Sequence, residues 1–391
     1  MPRIFSDQEM QRRVAELKGT MDREGITCTI ITSVHNLVYL GGFFFAEPNG
    51  RFVAAVLPLK DNPAMITANT EVGRVKDFTW IDDVRDYNDY ETPLNGCIRL
   101  IREVLSEMGI VSGKIGIESD WMPVFMFEAL RKALPSFDLV DISDQVERQR
   151  LVKSKEEIKL SRQGAELCMI SIKAAEQAIQ VGVTEIDVAR AMIEASGIEY
   201  AKRFPDFEFQ PYPFYCRAGA GRNWGHAGPT STKIEREKRV GVVACPVIMG
   251  YFSTLGRGYF LGKIPEEMKR PNEVQQEAVN RAIEAIKPGV KFSDIDKLTT
   301  KFFEDAGYGG TKGMGTGHSF GLMGPWWGRE KMGELRSYND TVMQEGMITS
   351  MEPGISVPGV GGFNTVDMIL VTRDGSEVLT DYPRGIRRLD R

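Results

Sequence analysis

Apolar and polar positions along this chain divide it into two regimes. A polar, charged stretch from Ser6 to about Glu24 predicts a helix with Ser6 as its N-cap and Gly25 as its stop. Short β-branched or apolar runs then alternate with helical patterns. Strands are expected over Thr27–Thr32, Phe52–Pro58, Ala64–Ala68, Ile115–Glu118 and Phe137–Asp141, and helices over Leu94–Met108 and Val124–Ala133. This alternation predicts a mixed α/β domain over residues 1–150.

The second regime opens at Lys153. Ser154 is placed as an N-cap, and Glu156 and Glu157 fall in the first turn, where the helix dipole favours carboxylates. Ile158, Ala165, Cys168, Ile172, Ala175 and Ile179 recur at three- and four-residue steps, so a long amphipathic helix buries one stripe and ends by Gly182. An internal echo follows. The run from Ala178 to Asp187, with a helix to Gly197, matches the run from Ala285 to Asp296, with a helix to Gly307. Strand-like sequence comes after each copy, over Val240–Leu261 and Met347–Val371. The echo predicts a duplicated half-domain over residues 151–391, helices outside and strands inside, with a cleft where the halves meet about a pseudo-twofold axis. The whole chain is read as α+β.

Composition narrows the partners. In 391 residues, 49 basic against 54 acidic side chains give a net charge of -5, with no positive field to hold nucleic acid. No apolar run is long enough for a signal peptide or a bilayer span, so no membrane partner and a cytoplasmic location are expected. The five cysteines are scattered without CxxC or Cys-His spacing, which fits buried thiols in a reducing compartment.

Candidate chemistry collects around three histidines. His318 sits in the glycine-rich stretch Gly313–Gly321, where glycines let the backbone come close to a ligand, and Trp326, Trp327, Arg329 and Glu330 follow. His226 lies in a second glycine-rich loop, in the other half of the duplication. His35 follows a strand and reads as a structural hydrogen-bonder. No Asp or Glu occurs between Gly241 and Leu261, which leaves His318, Glu352 and Asp367 as too few donors for a dinuclear centre, so no metal and no cofactor are expected. Hydrolysis without metal needs a base for water and an acid for the leaving nitrogen, and one histidine can serve as both. His226 or His318 could do so. Glu352 could hold a cationic group or orient a histidine. Arg51 and Arg329 are candidates for a substrate carboxylate, because guanidinium pairs with it bidentately. Cys245, in an apolar strand, reads as inert, and Trp326 and Trp327 as pocket wall or core.

The segments Thr32–Tyr39, Asn49–Phe52, Gly250–Leu255, Gly317–Gly321, Trp327–Glu330 and Ser350–Pro353 together resemble the creatinases, the metal-free branch of the pita-bread, M24 peptidase-like family. The resemblance runs over nearly the whole chain. It implies a homodimeric hydrolase acting on a carbon-nitrogen bond other than a peptide bond, in a small carboxylate-bearing guanidino or amidine compound such as creatine. His226 would match the catalytic histidine, His318 the second one, and Glu352 a carboxylate that holds the guanidinium. Arg51 and Arg329 would clamp the substrate carboxylate, with Trp327 and Phe320 beside it. Metal-dependent members use two Asp, one His and two Glu. Here Thr254 and Val366 stand at two of the carboxylate positions, Val243 at or beside a third, and only His318 and Glu352 are kept. A second guanidinium-holding glutamate is replaced by Gly256, a loss worth about 1.5–3 kcal/mol per charged hydrogen bond. That glycine is expected to open space for a different substrate. The alternatives are a cyclic-amidine or lactam hydrolase, a metal-dependent Xaa-Pro peptidase, and a binding module without catalysis.

Overall fold

The structure is a computed structural model that describes residues 3–44, 51–210, 214–219, 227–322 and 331–390. The chain divides into two compact units, Met1–Arg150 and Leu151–Arg391. In the first, α1 (Asp7–Glu24) is capped as its sequence demands. Ser6 Oγ accepts from Glu9 N at 3.2 Å, and Gly25 leaves the helix at φ 68°. There follow β1 (Ile26–Ile31), α2 (Val34–Asn36), β2 (Ala54–Pro58), β3 (Ala64–Ala68), α3 (Val72–Phe78), β4 (Asp83–Tyr87), α4 (Pro93–Glu107), β5 (Gly113–Ile117), α5 (Val124–Ala133), β6 (Phe137–Asp141) and α6 (Ser143–Leu151). The sheet order is β4-β3-β2-β1-β5-β6, antiparallel across β1, β2 and β3 and parallel elsewhere. Cys97, Ile101 and Val104 of α4 pack with Val56, Ile66 and Ile115 of the sheet.

The second unit begins with α7 (Lys155–Ala178), where Ser154 and Glu157 form a capping box. Next comes α8 (Glu185–Arg203), with a second box of Thr184 and Asp187. This helix does not stop at Gly197. A Cβ there would lie 3.2 Å from Phe209 Cε1, so the glycine admits an aromatic ring against the helix rather than ending it.

Strands β7 (Tyr215–Ala218), β8 (Arg239–Ala244), β9 (Val247–Ile248), β10 (Tyr251–Phe252) and β11 (Leu255–Leu261) precede α9 (Glu266–Ala285) and α10 (Phe292–Asp305). The chain then runs through β12 (Gly317–His318), β13 (Glu334–Leu335), β14 (Ile348–Met351), β15 (Ile355–Val357), β16 (Gly361–Phe363), β17 (Asp367–Val371), β18 (Ser376–Val378) and β19 (Ile386–Leu389). One half-sheet is ordered β19-β11-β8-β7, the other β14-β17-β18. Strand alternation decides what each face does. Cys216, Val240, Val242, Ala244, Leu255 and Tyr259 pack with Cys168, Ile172 and Ala175 of α7 and Val188 and Met192 of α8. The register places Arg217 opposite Gly241, Gly241 opposite Gly258 and Val243 opposite Gly256, all on the other face.

The duplication is written in matching backbone bonds. Gly182 N donates to Ile234 O and Ile234 N to Val183 O, while Gly289 N donates to Met343 O and Met343 N to Val290 O. Glu185 N and Ile186 N donate to Thr232 O and Thr230 O, as Phe292 N and Ser293 N do to Thr341 O and Asn339 O. Each helix N-terminus is thus satisfied by the same return of chain. The half-sheets meet where Gly256 and Val366 exchange backbone hydrogen bonds, at 3.0 and 3.2 Å. Beside that bridge Arg257 donates to Val366 O at 3.0 Å and to Asp367 Oδ1 at 2.7 Å, with both charged side chains shut off from solvent. Thr380 and Arg384 also donate to Asp367. No described helix is long and apolar enough to cross a membrane.

Replacing Arg257 with methionine leaves Asp367 buried with Arg384 and Thr380 alone, and should lower stability by about 3 kcal/mol. Urea unfolding monitored by circular dichroism measures the loss. A change below about 0.5 kcal/mol would show that the seam does not need this arginine.

Candidate active site

His318, at the end of β12, and Glu352, directly after β14, are brought together in the second half. Gly317 makes this possible, since a Cβ there would lie 2.1 Å from Ser350 O. The glycine serves strand against strand, not backbone against ligand as its setting suggested. His318 N donates to Ser350 Oγ at 3.0 Å, Ser350 Oγ donates to Glu352 Oε1 at 3.1 Å, and Glu352 N donates to Thr316 O at 2.8 Å. The His318 ring stacks on Phe320, with centroids 4.9 Å apart and planes 21° apart, and Phe320 is buried with Phe252, Ile348 and Met368.

The ring's two nitrogens meet different partners. Nδ1 lies 2.9 Å from Ser319 O, which can only accept, so Nδ1 carries a proton. Nε2 lies 3.2 Å from Glu352 Oε1. With Nδ1–H fixed, Nε2 of a neutral ring and a carboxylate oxygen would be two acceptors face to face. Nε2 is thus the ring nitrogen placed to exchange a proton at this contact.

Support comes from a polar network that the sequence reading missed. Asp296 of α10 accepts from Thr316 N at 3.1 Å, Thr316 Oγ1 at 2.7 Å and Lys312 Nζ at 2.6 Å. Burial lowers the Lys312 pKa, with Asp296 opposing that shift. Glu185 of α8 does the corresponding work in the first half, accepting from Ala218 N and Thr230 N, both at 2.8 Å. Period-two spacing from Glu352 points to Ser350. Nothing local in the sequence links Asp296 to residues twenty positions later.

The other candidates fare differently. His226, Arg329 and Trp327 lie outside the described residues, as does Trp326. Arg51 belongs to the first unit, where it pairs with Asp89 Oδ2 at 3.0 Å. His35 is not the structural hydrogen-bonder expected, because its Nδ1 is shut off from solvent with no partner among the described residues. Its ring meets Trp121 edge-on at 5.1 Å. The Cys245 thiol, 3.7 Å from Thr254 Oγ1, is pushed up to about 12 by burial, with the charge of Glu352 adding to the shift. Such a thiol is no nucleophile near neutrality. Gly256 does not open space. A Cβ built on it would lie 2.7 Å from Val366 Cγ2 and 3.3 Å from Val243 Cγ2, so two valines fill the place.

Residues 159–373 match the model of metallopeptidase family M24, and residues 13–152 match the creatinase/prolidase N-terminal domain. The chain belongs to the M24 family. It is 31% identical to the creatinase of Bacillus sp. (strain B-0618), covering 97% of this chain and 92% of that one. It is 26% identical to the Xaa-Pro dipeptidase of Pyrococcus horikoshii, covering 96% of this chain and 99% of that one. The crystallised Xaa-Pro dipeptidase of Bacillus anthracis superposes with a TM-score of 0.84 at 24% identity, over 97% of this chain and 100% of the other, which shows the shared M24 fold. The chain is thus an M24 hydrolase with a creatinase-type N-terminal domain and a pita-bread second domain. The expected restriction to carbon-nitrogen bonds other than peptide bonds does not stand. Its M24 relatives include Xaa-Pro dipeptidases matched along their whole length, beside the creatinase.

A metal pair, as the family name implies, needs bridging carboxylates. Val243 and Val366 have no donor atom, and Asp367 is held by Arg257, Thr380 and Arg384. Among the described residues no group of three or more His, Cys, Asp or Glu could hold an ion. The described residues of this M24 chain do not fit that site.

Three variants probe these placements. Asp296→Ala strips Lys312 of its counter-charge and leaves Thr316 N only its 3.3 Å bond to Leu335 O, for an expected loss of about 3 kcal/mol in urea unfolding, part of it regained in Asp296→Ala/Lys312→Met. His35 is held well below its ordinary value by burial, with the charge of Arg150 adding to it. The native ring stays neutral while the unfolded one protonates below about pH 6.5, so its contribution is present above that pH and lost as pH falls. His35→Gln should flatten the acid-side decline in stability by up to about 1.4 kcal/mol per pH unit, read from urea midpoints between about pH 6.5 and 5. An unchanged slope would mean that the ring is already charged in the native state.

Proposed function

We propose that this chain hydrolyses the amide bond of a small, carboxylate-bearing peptide or peptide-like molecule, with His318 and Glu352 as its proton-handling pair. The observation that carries the reading is the 3.2 Å contact between His318 Nε2 and Glu352 Oε1, with Nδ1 pinned to Ser319 O. A water facing Nε2 and the carboxylate can donate a hydrogen to each. Attack forms the C–O bond while the pair takes the water's proton. As the C–N bond breaks, the same proton goes to the leaving nitrogen, so one pair acts first as base and then as acid.

The dipeptidases among the relatives support an amide substrate. Gly256 supports it as well. A cage for a guanidinium would want a second carboxylate there, and Val366 and Val243 fill that space. We read the chemistry as independent of a metal pair, because Val243, Thr254 and Val366 supply no carboxylate at the positions where metal-dependent members are expected to have them. His226 is proposed as a second proton carrier, and Arg329 as a holder of the substrate carboxylate.

The test is amine release from a panel of Xaa-Pro and other dipeptides, with creatine included, by protein assayed with and without chelator and added manganese. Peptide turnover is expected, unaffected by chelator. His318→Ala and Glu352→Gln should each lower kcat/KM at least about 100-fold. Urea from creatine without peptide cleavage would overturn the substrate class. Activity that requires the added metal would overturn the metal-independent part.

A further inference from the structure

Against β8 and β11 lies a cavity of about 610 Å³ whose wall includes Gly256, Gly354 and Asn364. Its basic residues are Arg217, Arg236, Lys238 and Arg239, while Arg257 is committed to Asp367. The two acidic residues in its lining, Glu237 and Glu267, are exposed.

Arg239 is the unusual member. Its guanidinium lies across two strands that give up their side chains for it. A Cβ on Gly241 would fall 2.9 Å from Arg239 Nη1, and one on Gly258 would fall 3.1 Å from Nη2. Nη2 donates to Asn364 O at 3.2 Å. Among the described residues Nε, shut off from solvent, has no hydrogen-bond partner and Arg239 forms no ion pair. Burial brings its pKa down to about 10, and the like charge of Arg217 adds to that. A buried guanidinium with no counter-charge among the described residues favours an anion beside it, because guanidinium pairs with a carboxylate through its outer nitrogens.

We propose that this cavity is a carboxylate subsite centred on Arg239, so that the molecule processed beside it carries a second carboxylate and is an acidic peptide rather than a neutral one. The inference rests on the reading of this face as the substrate side, and it names the substrate class more narrowly. Gly354 of its wall follows Glu352 by two residues in the chain, and Gly256 of its wall bridges to Val366, where the half-sheets meet.

The binding test needs no turnover. Calorimetric titration of the full chain with glutarate, and with monomethyl glutarate as the one-charge control, should show glutarate binding at least about 10-fold tighter. In Arg239→Met that preference should fall to within about 3-fold. Arg239→Lys should keep an intermediate preference, because a point charge replaces the fork, and it also covers a methionine variant that does not fold. Equal binding of the two probes by the wild-type chain, or a preference that survives in both variants, would overturn the subsite. So would inorganic phosphate that displaces glutarate and binds at least as tightly, since the site would then be one for phosphate. Glutarate binding that depends on Arg239 in a protein that cleaves no peptide would sink the catalytic reading and leave the carboxylate subsite standing.

Discussion

The second unit depends on a seam two residues wide. Gly256 and Val366 join the half-sheets through a pair of backbone hydrogen bonds, and the buried Arg257–Asp367 pair locks the strands that flank it. A charge pair so far from water is favourable only when its remaining donors and acceptors are met. Here Pro383 O, Tyr382 O and Val366 O accept from the arginine, and Thr380 and Arg384 donate to the aspartate. The seam fixes where one half ends and the other begins, and hence which side chains share the cleft.

Around that seam the period of a β-strand separates two jobs. Residues facing the helices are apolar and buried, and make the core that holds α7 and α8 in place. Residues one position along face the cleft and include arginine, cysteine, threonine and glycine. Each half then uses a carboxylate near the start of a helix, Glu185 or Asp296, to grip the backbone leading to its glycine-rich loop.

Much of this was legible from residue order. Ser6 and Gly25 bound α1, Ser154 and Glu157 start α7, and the repeated Gly-Val turns mark the duplication, because caps and turns are local chemistry. His318 and Glu352 were legible as candidates by rarity and setting. What could not be read was anything that depends on packing across the sheet. Gly197 looked like a stop and is a seat for Phe209. Gly256 looked like an opening and is roofed by Val366 and Val243. Arg239 drew no notice at all, because its significance comes from two glycines on neighbouring strands. The restriction to bonds other than peptide bonds failed for a related reason. It came from a likeness to one branch of a family whose members share a fold.

The roof over Gly256 also sets the order in which this cleft could change. A glutamate introduced at 256 alone would have to push its first carbon into Val366, so the intermediate would lose the seam before it gained a carboxylate. A smaller residue at 366 would have to come first, at the cost of a void beneath the bridge. Two clefts that differ by one charged side chain are therefore separated by a barrier in sequence space, and neither is a single step from the other.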